Sequence, residues 1–157
     1  MLAYRITLKK YSRKLFASAI AGRWNGAGRE VIYCAESIPL AFLENMVRRQ
    51  GAGFNRDFKI MIIEIPDDLQ IEVVRTEDLP DGWRDFMDYS KCQAIGNAWY
   101  VRNATPVLKV PSAVLPESSY YVINAERPDS KKIKLINTTD LVPDERIEDI
   151  LKNYRKA

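Results

Sequence analysis

The stretch GRWNGAGREVIYCAESIPLAFLE, residues 22–44, combines a turn, a strand and a helix with three chemically useful side chains. Glycines predict the turn, a short apolar run predicts the strand, and a serine followed by proline predicts the start of the helix. Arg23 lies on the turn, Tyr33 on the strand and Glu44 on the helix. A cation for phosphate, an aromatic face and a carboxylate are what a protein needs to bind a dinucleotide and cleave it.

The composition indicates a globular protein and excludes several kinds of active site. The chain has 157 residues, 46% hydrophobic and 29% charged, which is enough for one domain with its own core. It contains no histidine, so a Ser-His-Asp triad or a Cys-His pair cannot form. With only two cysteines and no histidine, a zinc site is not expected.

The cysteine content, hydropathy and net charge predict the cellular location and bear on contacts with membranes and nucleic acid. Two cysteines far apart in sequence fit a reducing cytoplasm, and the longest apolar runs are too short to span a bilayer. The net charge of +3 comes from 24 Lys+Arg against 21 Asp+Glu. We therefore predict a cytoplasmic protein that contacts neither membranes nor, because its charges are balanced, nucleic acid directly.

The order of the predicted elements indicates an α+β protein. Strands are predicted over residues 2–8, 30–35, 58–65, 69–74, 106–110, 120–123 and 132–137, with residues 58–65 near the centre of a sheet because they are almost continuously apolar. Strands outnumber helices and do not alternate strictly with them. We expect a single domain, residues 1–157, with a mixed β-sheet core and flanking helices.

Three helices are predicted. The first is capped by Ser37 and runs to about Arg49, with Leu40, Leu43 and Val47 as its apolar stripe and Glu44 at the border of that stripe. A second has helical character from residue 90 to residue 98. The third is an amphipathic helix over about residues 143–155, whose apolar face comprises Ile147, Ile150, Leu151 and Tyr154.

Each candidate residue also has an ordinary structural explanation. Arg23 offers a planar fork of donors matched to a pyrophosphate, or it is a surface arginine stacked on Trp24. Tyr33 can stack on a base or nicotinamide ring, or it is a core tyrosine whose hydroxyl reaches the surface. Glu44 can stabilise the positive charge that builds on a sugar during glycosidic cleavage, or it pairs with Arg48 one turn later.

Other residues compete for these roles or support them. Glu36 and Glu64 are alternative carboxylates. Ser112 follows a proline at the end of a strand and can bond a ligand or cap a turn. Without histidine to activate it, Ser112 is not expected to be a nucleophile.

Taken in order, these motifs resemble the RES-domain family, the toxins of the RES–Xre type of bacterial toxin–antitoxin system. The resemblance covers nearly the whole chain. The matching segments are Tyr4-Arg5-Ile6, Gly22-Arg23-Trp24-Asn25 with Gly28, Val31-Ile32-Tyr33-Cys34-Ala35-Glu36-Ser37, Leu40-Ala41-Phe42-Leu43-Glu44, Gly96-Asn97, Val110-Pro111-Ser112-Ala113 and Tyr121-Val122-Ile123-Asn124.

The resemblance implies a fold similar to ADP-ribosyltransferases and an enzyme that consumes NAD as its substrate, with no separate cofactor and no metal. It implies catalytic roles for Arg23, Tyr33 and Glu44. It further implies NAD contacts by Arg5, Arg23, Trp24, Tyr33, Ser112 and Asn124. The implied partner is an Xre-like helix-turn-helix antitoxin, and the resemblance allows a homodimer within the toxin–antitoxin complex.

The chain departs from the family pattern after Asn124, where a proline and then a histidine-proline pair are expected and Ala125-Glu126-Arg127-Pro128-Asp129 stands instead. This departure keeps the third of three functions open, and nothing in the sequence separates the first two. The first is cleavage of the nicotinamide–ribose bond of NAD, by hydrolysis or phosphorolysis. The second is ADP-ribosylation of a host metabolic enzyme. The third is a catalytically inactive module that only binds a partner.

Overall fold

The computed structural model describes residues 1–50, 54 and 57–156, without the side chains of residues 154 and 155. In this part of the chain there are seven strands, which form one sheet, and three α-helices, of which α1 and α2 pack on the sheet. The strands are β1 (Leu2–Leu8), β2 (Val31–Ala35), β3 (Phe58–Glu64), β4 (Ile71–Val73), β5 (Val107–Pro111), β6 (Ser119–Asn124) and β7 (Lys134–Asp140); the helices are α1 (Ile38–Arg48), α2 (Ser90–Arg102) and α3 (Glu145–Lys156). The predicted α+β class and mixed sheet are confirmed.

The strand order is β4-β5-β6-β2-β1-β3-β7. Among the described strands, β4 and β5 pair in parallel, and the other neighbours pair antiparallel. The prediction that residues 58–65 lie near the sheet centre is wrong: β3 is second from the edge, because β7 covers its outer side. β1 and β2 pair only at Tyr4 and Ala35. The sheet therefore has the fewest paired residues between β1 and β2, where the half β4-β5-β6-β2 joins the half β1-β3-β7.

The two faces of the sheet bury different clusters. On β2, Val31, Tyr33 and Ala35 point to the face that carries α1 and α2, since alternate strand residues share a face. Ile32 and Cys34 point to the other face, where they join Leu69 and Ile133. The functional residues predicted on β2 and α1 are therefore on the helical face.

Helix α1 is rotated relative to its predicted stripe. Ser37 caps it, since its hydroxyl accepts a hydrogen bond from the backbone N–H of Leu40 at 3.3 Å. Leu40 and Ala41 are its buried residues, whereas Val47 is 53% exposed. The predicted place of Val47 in the stripe is therefore wrong, because the helix rests on β1 and β2 through its Leu40–Ala41 side. Glu44 follows this pair by four and three positions, so it lies on the inward face.

Helix α3 extends over Glu145–Lys156, close to its predicted bounds. Leu151 is buried, as expected for the apolar face, but Ile150 is 67% exposed. The predicted contribution of Tyr154 lies outside the described side chains. No helix in the described residues is long and apolar enough to cross a membrane.

Candidate functional site

Two tyrosines lie side by side on the helical face of the sheet. Tyr33 on β2 pairs with Val122 on β6, and Ala35 pairs with Tyr120, so Tyr33 and Tyr120 are diagonal neighbours. Such neighbours have Cα atoms about 7–8 Å apart, within reach of long side chains. Tyr120 packs against both the α1 cluster and the α2 cluster. The tyrosine pair thus occupies the junction between the two helices, with Arg23 close to Tyr33 and Glu44 close to Tyr120.

The turn Gly22–Asn25 carries Arg23 and is closed by its own backbone. The N–H of Gly22 donates to the carbonyl of Asn25 at 2.9 Å. A Cβ on Gly22 would lie 2.8 Å from Asn25 Oδ1 and 2.9 Å from Tyr33 Oη, so only glycine allows this approach. The glycine therefore brings the turn against Tyr33.

The Arg23 guanidinium is held by the loop that precedes α2. Its Nη1 donates to the carbonyls of Trp83 at 2.8 Å and Asp85 at 3.1 Å. Its Cζ lies 4.4 Å from the ring centroid of Tyr89, a cation–π distance. Arg23 therefore stacks on Tyr89 rather than on Trp24, and its orientation is fixed by backbone oxygens 60 and 62 positions away.

The Tyr33 hydroxyl is fully engaged inside the protein. It donates to Asn25 Oδ1 at 2.7 Å and accepts from the backbone N–H of Trp24 at 3.0 Å. Burial raises the pKa of Tyr33 well above its ordinary value of 10.0, so the hydroxyl is protonated at neutral pH. The ring rather than the hydroxyl is what Tyr33 can offer to a ligand.

Glu44 is oriented by Ser112. The Ser112 hydroxyl donates to Glu44 Oε1 at 2.5 Å and accepts from the N–H groups of Val114 and Leu115 at 3.1 and 3.0 Å. Ser112 is only 2% exposed. Since its donor and both of its acceptor positions are used, the hydroxyl has one orientation. The rigid turn after β5 therefore fixes one carboxylate oxygen of a helix residue.

The position of Glu44 distinguishes it from Glu36 and Glu64, the two alternative carboxylates. None of the ion pairs formed by the described residues joins Glu44 to Arg48. Glu64 is exposed at the end of β3. Tyr121, whose pKa is raised by burial and then by the charge of Glu36, belongs to the cluster on the opposite face. Glu44 alone of the three carboxylates lies beside the tyrosine pair, where burial raises the pKa of Tyr120 and the charge of Glu44 adds to that effect.

Comparison with known proteins decides the family. The family model described as RES domain matches residues 2–146. The chain belongs to the RES-domain family. The predicted resemblance is thereby confirmed.

Two curated relatives support this membership of a toxin family. A protein of Photorhabdus laumondii named Toxin Res is 30% identical over 152 residues, covering 94% of this chain and 97% of that protein. A protein of Sphingobium sp. named Prs ADP-ribosylating toxin is 34% identical over 120 residues, covering 75% and 74%. The relatives named as toxins thus match this RES domain across most of their own length.

A solved structure shares the fold. The M. tuberculosis MbcT–MbcA toxin–antitoxin complex contains a chain that superposes with a TM-score of 0.67 at 22% identity, covering 99% of this RES domain and 89% of that chain. At this identity the likeness concerns the arrangement of the elements alone.

Arg5 lies on β1 beside the point where β1 and β2 separate. Its Nη1 donates to the carbonyl of Phe16 at 3.2 Å. Burial lowers the pKa of Arg5, and Arg5 in turn acts on the ionisation of Tyr120. On β1, Arg5 alternates with Tyr4 and Ile6, which pack in the α1 cluster, and shares its side of the strand with Ala3, which belongs to the cluster on the other face. The predicted contact of Arg5 with NAD therefore stays a prediction.

Two predicted NAD contacts, Trp24 and Asn124, use their side chains within the protein. The Trp24 ring is 3% exposed and packs on Trp83 with ring centroids 6.3 Å apart. Asn124 is 2% exposed, donates to Asn103 Oδ1 at 3.3 Å and accepts from the N–H of Glu126 at 3.1 Å. Since neither side chain is open to a ligand, the structure does not support the predicted contacts of these two residues.

The segment that departs from the family pattern forms a structural clamp in this RES domain. Arg127 makes a bidentate pair with Asp129 at 2.8 and 2.6 Å and also bonds the carbonyl of Asn103, the residue that ends α2. The Asn124 end of β6 pairs with Val31, whereas Glu44 neighbours the opposite end of β6. The changed residues therefore secure α2 to the sheet, away from Glu44.

Sequence reasoning missed several residues of the site. Asn25, which bonds Tyr33, lies within the quoted motif, and its polar side chain in a glycine-rich turn was an available signal. Gln93 on α2 donates a hydrogen bond to the turn, and the ring of Tyr89, just before α2, stacks with Arg23. Nothing in the local sequence pattern identifies either residue as part of the site. The described residues contain no group of three or more His, Cys, Asp or Glu side chains that could hold a metal ion.

Proposed function

We propose that this RES domain is the toxin of a toxin–antitoxin system and cleaves the nicotinamide–ribose bond of NAD. The observation that carries the proposal is the hydrogen bond from Ser112 to Glu44 Oε1 beside the tyrosine pair. Cleavage of this bond builds positive charge on the ribose, and a fixed carboxylate stabilises that charge. With Oε1 held by Ser112, we assign Oε2 to the sugar.

Arg23 and Tyr33 supply the other two functions. Arg23 is a planar donor fork whose Nη1 is bound by the loop carbonyls, which fixes the direction of its remaining N–H groups. Those groups suit a pyrophosphate. Tyr33 presents an aromatic ring because its hydroxyl is occupied by the turn. The ring suits the planar nicotinamide. NAD is thus the substrate, and the proposal requires no further cofactor.

Transfer of ADP-ribose to a protein is a second candidate. It is favoured by the 34% identity to a relative named Prs ADP-ribosylating toxin. The two activities share the same bond cleavage and differ in the nucleophile, which is water or phosphate in one case and a protein side chain in the other. A module without catalysis is the remaining alternative.

The proposed partner is an antitoxin that covers the Glu44 side of the sheet. The shared fold with the toxin of a toxin–antitoxin complex supports such a partner. We propose that it is an Xre-like helix-turn-helix protein, that two toxin chains can pair within the complex, and that the proteins act in the cytoplasm. A neighbouring reading frame for a small helix-turn-helix protein tests the partner directly.

The enzymatic proposal is tested with NAD carrying one label on nicotinamide and another on adenine. Purified protein without antitoxin should release nicotinamide, and Glu44→Gln should reduce the rate about 10²–10³-fold. Glu36→Gln is the matched control, since it makes the same change beside Tyr121, and it should stay within twofold of wild type.

The same reaction separates the candidates. Adenine label in acid-insoluble protein of a bacterial lysate indicates ADP-ribosylation, and label in free ADP-ribose or its phosphate indicates hydrolysis or phosphorolysis. A wild-type protein that releases no nicotinamide above a protein-free blank would refute catalysis and leave the partner-binding module. Equal release by an active wild type and by Glu44→Gln would refute the role assigned to Glu44.

A further inference from the structure

The turn that carries Arg23 is bound from outside by one side chain of α2. Gln93 Nε2 donates to the carbonyl of Gly22 at 2.8 Å and to the carbonyl of Asn25 at 3.3 Å, so a single amide joins the first and last residues of the turn. Both partners are carbonyl oxygens, and only the nitrogen end of the amide can donate to them. Arg23 stands between the two bonded residues.

Helix α2 lies unusually close to this turn. A Cβ on Gly96 would lie 1.8 Å from the carbonyl oxygen of Trp24, so the helix and the turn touch backbone to backbone. Gln93 precedes Gly96 by three positions and therefore shares its helix face. The amide reaches the turn from a rigid element in direct contact with it.

The inner side of the same turn is bound by Tyr33 and Asn25. Asn25 is 2% exposed; its Oδ1 accepts from Tyr33 Oη, and its Nδ2 donates to the carbonyls of Ile20 at 2.9 Å and Gly26 at 3.1 Å. These bonds fix the inside of the turn. Gln93 supplies the bonds that fix its two ends.

We propose that Gln93 is a positioning residue for the anionic part of the substrate: through the turn Gly22–Asn25 it holds the backbone from which Arg23 reaches the pyrophosphate. This inference rests on the proposed cleavage of NAD. Gln93 does not touch the substrate. Its loss lets the turn move, and because misplacement of a binding group by about 1 Å weakens binding strongly, the Arg23 contact is lost without any change at Glu44.

Asn97 provides a matched control one helical turn later. Asn97 Oδ1 accepts from the N–H of Gly26 at 2.9 Å. Asn97→Asp therefore keeps an oxygen that can accept from the N–H of Gly26. In contrast, Gln93→Glu replaces the nitrogen that donates to the carbonyls of Gly22 and Asn25 with an oxygen, which cannot donate to them. Both changes add the same charge to the same helix. Gln93→Met removes the donor without adding charge, so it separates the lost bonds from any attraction between a new carboxylate and Arg23.

The first measurement is the kinetics of nicotinamide release. Gln93→Glu and Gln93→Met should raise KM for NAD about tenfold with kcat within twofold of wild type, since the turn holds the anion and not the reacting bond. Asn97→Asp should change neither constant by more than twofold. An active wild type with unchanged KM in both Gln93 variants refutes the positioning role and leaves the proposed function intact.

The second measurement does not depend on activity. Amide hydrogen exchange at Gly22, which bonds Asn25, and at Trp24, which bonds Tyr33, should be about tenfold faster in Gln93→Met than in wild type or Asn97→Asp. Unchanged exchange at both amides shows that Gln93 does not hold the turn and overturns the inference. A wild type inert towards NAD, together with faster exchange, refutes the proposed function and leaves Gln93 as a structural residue only.

Discussion

The two sides of the candidate site are held in different ways. The Arg23 side is a turn bonded to Tyr33 at a separation of nine residues or fewer, to α2 through Gln93 and to the loop before α2. The Glu44 side depends on one hydrogen bond from Ser112, 68 positions away. Among the described residues, the first side has several backbone contacts, and the Glu44 carboxylate has one hydrogen bond, from a side chain.

This difference predicts how each side responds to substitution. Removing a contact of the turn leaves buried backbone groups without partners, so it lowers the free energy of unfolding. Removing the Ser112 hydroxyl leaves α1 and its buried residues in place, frees the Glu44 carboxylate, and leaves the N–H groups of Val114 and Leu115 without their acceptor. Damage to the turn should therefore appear mainly in stability, and damage at Ser112 should appear in activity together with a smaller loss of stability.

The largest effect is expected at the contact between α2 and the turn. Gly96→Ala would place a Cβ 1.8 Å from the carbonyl oxygen of Trp24, so the helix must move away. We expect a loss of about 3 kcal/mol in the free energy of unfolding, measured by urea denaturation. Gly28→Ala, at a glycine with φ of 82° and open space around its Cβ, should cost only about 1 kcal/mol. Equal losses would contradict the close contact.

The next effect concerns the Tyr33 hydroxyl. Tyr33→Phe keeps the ring but leaves Trp24 N–H and Asn25 Oδ1 without their partner. We expect the free energy of unfolding to fall by about 2 kcal/mol while the pH dependence of kcat keeps its shape. A pH–rate profile that loses one limb in the phenylalanine variant would show that the hydroxyl transfers a proton, contrary to the structure.

A smaller effect is expected at Ser112, and it should separate activity from stability. Ser112→Ala leaves Glu44 without its donor, and we expect kcat/KM for NAD cleavage to fall about tenfold, equivalent to about 1.4 kcal/mol. Thermal unfolding should change less than in Gly96→Ala. Ser118→Ala, a serine-to-alanine change in the same loop, serves as the control. If Ser112→Ala unfolds the protein as readily as Gly96→Ala, the two sides do not differ as proposed.

The smallest effect is a dependence of stability on alkaline pH. Burial raises the pKa of Tyr120 far above 10.0, so above that pH the unfolded chain loses a proton that the folded protein keeps. The stability contribution is complete below pH 10 and declines as the pH rises. Tyr120→Phe should reduce this decline by about 1 kcal/mol between pH 8 and pH 11, measured by urea unfolding. If the stability of Tyr120→Phe declines as steeply as that of wild type, the raised pKa of Tyr120 is contradicted.

Local pattern predicted the elements better than their arrangement. Ser37 as a cap and the alternation over residues 2–8 depend on neighbouring residues, and both appear in the structure. The position of β3 next to the edge strand depends on which strand covers it, which periodicity does not contain. The rotation of α1, which exposes Val47 and turns Glu44 inward, likewise depends on the strands beneath the helix.

The same limit applies to the site. The quoted motif and the family resemblance predicted Arg23, Tyr33, Glu44 and Ser112, and the structure gives each a defined set of contacts. The motif and the resemblance could not predict that the backbone carbonyls of Trp83 and Asp85 bind Arg23, because backbone carbonyls carry no sequence signal. Nor could they predict that Trp24 is in the core, since a tryptophan on a turn fits a ligand contact equally well.

The pairing of β2 with β6 has a consequence for synthesis of the chain. Arg23, Tyr33 and Glu44 leave the ribosome before Ser112, and the strand beside Tyr33 begins still later, at Ser119. Non-local pairings of this kind form only after both segments exist. A ribosome-bound fragment that ends before β5 thus has every proposed catalytic side chain and no assembled site. An antitoxin would therefore need to bind only toxin chains in which these strands have been synthesised.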